Sequence, residues 1–278
     1  MALSESRALP RRLARPPFAV LTTAQDLIRH RSLVWALLVR QLKVRYRGSV
    51  LGFVWTFLNP LLLMAVYALV FRFYMRIAVP NYALFLLAGL LPWQWFASSL
   101  NEGTNAVVGG SSLVTKSLFP TEILPTVVVL ANMVNFLLSI PLLWIAGWIY
   151  GIAPSPLPWL SLLPVIVLQF AFTLGLVLAL AALNVHYRDV QHIVSNLLLL
   201  WFFLTPIVYP ESQVPEAMRP LLLLNPMALF IHGYHDVLVQ SSWPSLEILG
   251  ALTLYALIAL LVGAKIYDAY RDTFPELV

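Results

Sequence analysis

The stretch GSSLVTKS, residues 110–117, nearly spells a phosphate-binding loop. Gly110, four residues, then Thr115, Lys116 and Ser117 satisfy G-x-x-x-x-G-K-[ST] except that Thr115 stands where the second glycine belongs. Such a loop cradles phosphate with backbone N–H groups after a buried strand, at the opening of a helix packed on a sheet. Here both flanks are long apolar runs without strand alternation, and Thr115 lacks glycine's conformational freedom. The stretch therefore does not predict a nucleotide site. His186 with His192, and His232 with His235 and Asp236, read as surface or interfacial histidines rather than metal ligands. No nucleophile elbow, HExxH or EF-hand pattern occurs, nor a close pair of acids beside an apolar run. Glu102 is the one ionisable residue that approaches the interior of such a run.

The elements that hold these residues are set by composition. Of 278 residues 60% are hydrophobic and only 10% charged, with no cysteine, so lipid is the main solvent and disulfide or thiolate chemistry is excluded. Six segments are apolar enough to span a bilayer, about 50–74, 83–108, 123–150, 159–183, 193–209 and 246–267. A seventh run, Leu221–Gln240, is broken by Asn225-Pro226 and made polar by His232, His235 and Asp236. It predicts two short helices, within about 212–240, at or dipping into the membrane surface. The fold class expected is thus an all-α membrane protein with six spans, an N-terminal amphipathic helix and a two-helix re-entrant element between the fifth and sixth spans. Pro16 and Pro17 interrupt the basic N-terminus, so residues 1–31 are expected to be a flexible cytosolic tail rather than a cleaved signal, and 32–278 one membrane domain.

Charge sets the orientation. With the N-terminus inside, 14 of the 17 basic residues lie on the cytosolic side and Arg72, Arg76 and Arg219 outside. Both termini are then cytosolic. This one-sided distribution along apolar spans also argues against nucleic acid as a partner of a chain with net charge +5. Trp93, Trp95, Trp144, Trp148, Tyr150, Trp159 and Tyr209 sit near predicted span ends, as an interfacial aromatic belt would.

Two cytosolic features remain. In LVWALLVRQLKVRYRG, residues 33–48, Val34, Trp35, Leu38 and Leu42 mark an apolar side while Arg40, Lys43 and Arg47 recur on the other; Arg45 falls on the apolar side. Such a helix lies in the headgroup plane, its cations facing anionic lipid or a partner. The loop 110–122 carries Lys116 to Glu122 in polar–apolar alternation, suited to a short helix docking into another protein. With few ionisable groups in its spans, a transporter of this kind needs an energy source outside the chain.

Five ordered motifs then carry a resemblance: RQLKVRYRGSVLGFVWTFLNPLL, LVTKSLFPTEILP, ALNVHYRDVQHIV, LTPIVYP and LLLNPMALFIHGYHDVL. From about Ser32 onward the chain resembles the permease subunits of ABC-type polysaccharide exporters that handle O-antigen, capsule and teichoic acid. The resemblance implies two permease copies with two separate ATPase subunits in a bacterial inner membrane, and a polyprenyl-pyrophosphate-linked glycan as substrate. It implies no cofactor on this chain, with ATP and magnesium held by the partner. Carried over, residues 33–47 form the interface helix, with Arg40, Lys43, Arg45 and Arg47 attracting pyrophosphate. Val114, Lys116, Ser117, Phe119, Pro120 and Glu122 fall in the ATPase-coupling segment, and Arg188 and Asp189 in a second contact. The short helices after Pro210 become an outer gate, and Tyr67, Tyr74 and Trp201 stand as candidates along the glycan path. Two alternatives stay open on the residues alone: a permease for drugs or small lipids, and a membrane-embedded enzyme acting on lipid-linked sugars.

Overall fold

The computed structural model describes residues 28–115, 119–152 and 159–278, and these are helical with short connections. Most of the tail expected over 1–31 lies outside the described residues. α1 runs from Arg31 to Tyr46. Arg47 then turns extended and Gly48 adopts φ +78°, a left-handed conformation that redirects the chain without a Cβ clash. The first apolar segment, Gly52–Tyr74, contains α2 (Trp55–Tyr67) and closes in a wide π-helical stretch, Ala68–Tyr74. α3 (Tyr82–Thr104) follows, then two one-turn helices, α4 (Ala106–Gly109) and α5 (Ser111–Val114). Next come α6 (Ile123–Ile149), α7 (Leu162–His186) and α8 (Val190–Leu204). After them stand α9 (Arg219–Leu223), α10 (Pro226–Leu238), α11 (Leu246–Tyr270) and α12 (Phe274–Leu277).

Among the described residues five helical segments are long and apolar enough to cross a membrane: Gly52–Tyr74, Tyr82–Thr104, Ile123–Ile149, Leu162–His186 and Leu246–Leu277. The fifth expected span, 193–209, is instead the 15-residue α8. At 1.5 Å per residue it is about 22 Å long, short of a ~30 Å hydrocarbon core. It stops at Leu204 because Thr205 precedes Pro206, and a residue before proline is pushed out of helical ψ; Thr205 sits at φ −104°, ψ 133°. The second expected span, 83–108, is likewise shorter, its helix ending at Thr104 before Asn105.

α3 is the centre of the molecule, its faces packed on α6, α7 and α10. Trp93 and Trp95 are 5% and 2% exposed, so they belong to the core rather than to the aromatic belt. Trp95 stacks on Phe136, and Trp93 packs against Phe202. Trp144, Trp148 and Tyr150, at the far end of α6, do face outward. α7 and α11 approach more closely than side chains normally allow. A Cβ on Gly263 would lie 1.9 Å from the Gly175 carbonyl oxygen, and one on Gly175 would lie 2.3 Å from the Ala259 carbonyl. In lipid, where apolar side chains gain nothing by leaving solvent, such backbone-close crossings of small residues supply the van der Waals contact that holds helices together. The segment containing α2 is the opposite case, the least buried of the long helices.

Candidate functional site

α1 is seated on α6 by its apolar side. Leu38 is buried against Ile123, Val127 and Ala131, with Val34 and Leu42 packed around them. Trp35, placed on the same stripe by spacing, is instead 67% exposed. Arg45, the residue that interrupted the stripe, has a specific destination. Its Nη2 donates to both Glu102 oxygens at 2.8 and 2.7 Å, and its Nη1 donates to Asn132 Oδ1 at 3.0 Å. One nitrogen thus spans both carboxylate oxygens while the other is used by Asn132, and the bonds to Glu102 are charge-assisted. Asn132 Nδ2 closes the triad with a long 3.4 Å bond to Glu102. The next residue, Tyr46, makes a 2.5 Å hydroxyl–hydroxyl bond with Thr56 and donates to Asn135 Oδ1 at 3.2 Å.

Arg40, Lys43 and Arg47 remain exposed and line a shallow groove of about 610 Å³ on the outer side of α1, bounded by Tyr46. Arg45 is separated from these three: its charge is balanced by Glu102, while theirs face outward. On the far side of Tyr46 lies a larger groove of about 780 Å³ between α2, α3 and α6. Gln94 and Ser98 of α3 face it, opposite Asn132 and Asn135 of α6, while Thr56 and Asn59 of α2 form its third side. The sequence pattern singled out none of these side chains, only Glu102 beside Asn132. The available signal was their spacing, Gln94–Ser98–Glu102 and Asn132–Asn135–Ser139, each a polar line along one helix face.

The coupling segment is described in part. Lys116 and Ser117 lie outside the described residues. Val114 is 4% exposed, Phe119 packs on the Leu38–Ile123 cluster, and Pro120 offers its carbonyl to the Ile123 N–H at 3.1 Å. Glu122 is buried, so its carboxylate faces protein rather than open solvent. In the second loop, Arg188 and Asp189 are exposed on a tight turn. Asn184 Oδ1 accepts from the Gln191 N–H at 3.2 Å, and Gln191 Nε2 reaches the Asn101 carbonyl at 3.0 Å. His186 packs on Tyr270 and bonds Thr273 at 3.1 Å, which ties this loop to the chain's C-terminal end.

Tyr67, Tyr74 and Trp201 are not equivalent. Tyr67 stacks on Phe202 with centroids 5.5 Å apart, and Tyr74 is 72% exposed at the end of its helix. Trp201 Nε1 donates to Asn225 Oδ1 at 2.7 Å. Asn225 also caps α10, accepting from Met227 and Ala228 N–H, and its Nδ2 donates to the Leu204 carbonyl and Thr205 Oγ1 at 3.1 Å each. One side chain therefore joins the broken end of α8 to the start of α10. Farther along α10, His232 Nδ1 lies 2.9 Å from Glu211 and Nε2 lies 3.5 Å from Asp236. Its hydrogen bond with Glu211 raises the imidazole pKa, reinforced by both carboxylates and opposed by burial. Beside it His235 is held down to about 4, mainly by burial. No group of three metal-ligating side chains occurs among the described residues.

Residues 32–239 match the family model described as ABC-2 type transporter. The chain is 45% identical over 258 residues to the O-antigen export system permease protein RfbA of Myxococcus xanthus, covering 91% of this chain and 98% of that protein. An RfbA of Klebsiella pneumoniae is 34% identical over 240 residues, 86% of this chain and 92% of the relative. More distant is the polysialic acid transport protein KpsM of Escherichia coli, 22% identical over 248 residues, 86% of this chain and 93% of the relative. These matches make this multi-pass helical chain the membrane half of a transporter whose ATP hydrolysis lies in a partner subunit. The chain belongs to the ABC-2 type transporter family, as a permease subunit.

Proposed function

We propose that this permease moves a polyprenyl-pyrophosphate-linked, O-antigen-like polysaccharide from the cytosolic side across a bacterial inner membrane. The observation that carries the reading is the near-full-length similarity to O-antigen export permeases. The exposed cations Arg40, Lys43 and Arg47 on a membrane-surface helix support it, since a diphosphate headgroup at an interface favours such a row. The working unit is two copies of the chain, each a single membrane domain over 32–278, with two ATPase subunits that bind ATP and magnesium.

In this reading both termini are cytosolic and α8, together with the turn at 205–209, serves as the fifth of six spans. The region of about 212–240 is the outer gate, joined to α8 through Asn225. The ATPase is met by the segment around Val114, Lys116, Ser117, Phe119, Pro120 and Glu122 and by the turn at Arg188 and Asp189. Glu122, being buried, holds the segment's shape, while Arg188 and Asp189 are free to touch a partner. Tyr67 and Tyr74 lie along the outer half of the first span as candidates to stack on sugar rings, with Trp201 behind them.

Deleting the gene tests the reading. Surface polysaccharide should disappear while lipid-linked glycan accumulates at the inner face, and the purified chain should bring down an ATPase. Normal surface polysaccharide in the deletion strain would point instead to export of a drug or small lipid.

A further inference from the structure

We propose that the groove between α2, α3 and α6 is an intramembrane sugar-binding site, which receives the uncharged sugar units adjoining the pyrophosphate. The proposal rests on the exporter reading above and adds to it the place where the first sugars are held.

Three helices turn polar side chains to one space. α3 contributes Gln94 and Ser98, one turn apart; α6 contributes Asn135, one turn from buried Asn132; α2 contributes Asn59. Eight residues separate Gln94 from Glu102, so the groove extends about 12 Å from the ion pair towards the membrane interior. Polar groups at that depth are costly unless something hydrogen-bonds them. The side chains of Gln94, Ser98 and Asn59 have no hydrogen-bond partner among the described residues. They are neither fully buried nor turned into the core, and they face an opening of about 780 Å³. That volume falls within the ~300–1,000 Å³ of small-ligand sites.

The chemistry of the lining selects the ligand. Carboxamides and hydroxyls both donate and accept, which suits a polyhydroxylated molecule. The ring of Trp55, with Leu62 and Leu63, supplies an apolar wall for the C–H faces of a sugar. Arg45 borders the groove, but its charge is matched by Glu102, so the site as a whole is neutral. The cationic groove on α1 and this neutral groove share Tyr46 as a wall. A headgroup with its phosphates over Arg40, Lys43 and Arg47 thus has its sugars at the mouth of the amide-lined space.

The test uses the full permease–ATPase complex in lipid nanodiscs with two probes: polyprenyl pyrophosphate carrying an N-acetylglucosamine disaccharide, and the same lipid pyrophosphate without sugar. The double variant Gln94→Leu/Asn135→Leu should bind the sugar-bearing probe at least tenfold more weakly and the bare probe within twofold of wild type. Ser98→Leu, a smaller change, should weaken the sugar-bearing probe in the same selective way even if the double variant does not assemble with the ATPase. Equal losses for both probes, or no loss for either, would overturn the proposal. So would an efficient disulfide between two copies carrying Asn59→Cys, because a second copy would then fill the groove. A wild-type complex that binds neither probe would overturn the exporter reading and the groove together. A wild type that binds both, with variants that bind equally well, would overturn the groove alone.

Discussion

Arg45 and Glu102, 57 residues apart in sequence, meet in an ion pair in which Nη2 reaches the two carboxylate oxygens at 2.8 and 2.7 Å, where α1 crosses the end of α3. Both side chains are partly exposed, so solvent screens the pair and it contributes about 1 kcal/mol or less to stability. Its larger effect is geometric, because it fixes the angle of α1. Arg45→Gln and Glu102→Gln should each lower export several-fold while shifting the thermal midpoint by only a few degrees. The double variant should be little worse than either single one. A double-mutant cycle on export rate checks this; fully additive losses would show that the two residues act separately.

Lys116→Glu should reduce export without loss of folded protein if the 110–122 segment presses on the ATPase. Phe119→Ala is a different experiment, because Phe119 packs on the cluster that seats α1. Truncating a half-buried aromatic there should lower the thermal midpoint as well as export. Quantifying surface polysaccharide alongside ATPase co-purification and thermal stability separates the two variants. Unchanged export with Lys116→Glu would remove that residue from the coupling role.

Gly263→Ala should abolish accumulation of folded permease, since the new methyl would meet the Gly175 carbonyl at 1.9 Å and the neighbouring backbone cannot yield. Gly250→Ala on the same helix meets nothing within 4 Å and should be neutral or slightly stabilising. Monodispersity in detergent, measured for both, gives the comparison.

The Glu211–His232 contact predicts a pH dependence of the stability of the region around α10. His232 has its pKa raised above the ordinary 6.5 by Glu211, so its stabilisation is fully present below 6.5 and fades as pH rises through the raised value. Thermal midpoints of wild type and Glu211→Gln should therefore differ most in mild acid and converge in alkaline buffer. Parallel curves across that range would show that the pair does not titrate as described.

Much of this architecture was legible because lipid imposes long apolar runs, and the helices around residues 123–149, 162–186 and 246–270 follow those runs closely. The residues that hold the helices together were harder to read. Arg45 looked like an error in an amphipathic pattern because its partner lies far away in sequence. Trp93 and Trp95 suited a belt by position, yet α3 is enclosed on all sides and hydropathy does not distinguish a lipid-facing span from an enclosed one. The polar groove was missed for a related reason. One Gln or Asn in a span is tolerable alone, and only the superposition of three helices places Asn59, Gln94 and Asn135 around one space.

Adjacent residues of α1 share a hold on α6, and only the second also reaches the first span. Arg45 is held by α3 and α6, which pack on several other helices, whereas Tyr46 bonds both Asn135 of α6 and Thr56 on the sparsely packed first span. A tilt of α1 would therefore pull on the first span through Thr56, while Glu102, Asn132 and Asn135 hold the helix to α3 and α6. The braced side resists and the loose side gives, so a small tilt of one surface helix becomes displacement of a single wall. The chain needs no soft hinge within its core for this, since the difference in packing between the first span and α3 with α6 sets which part travels.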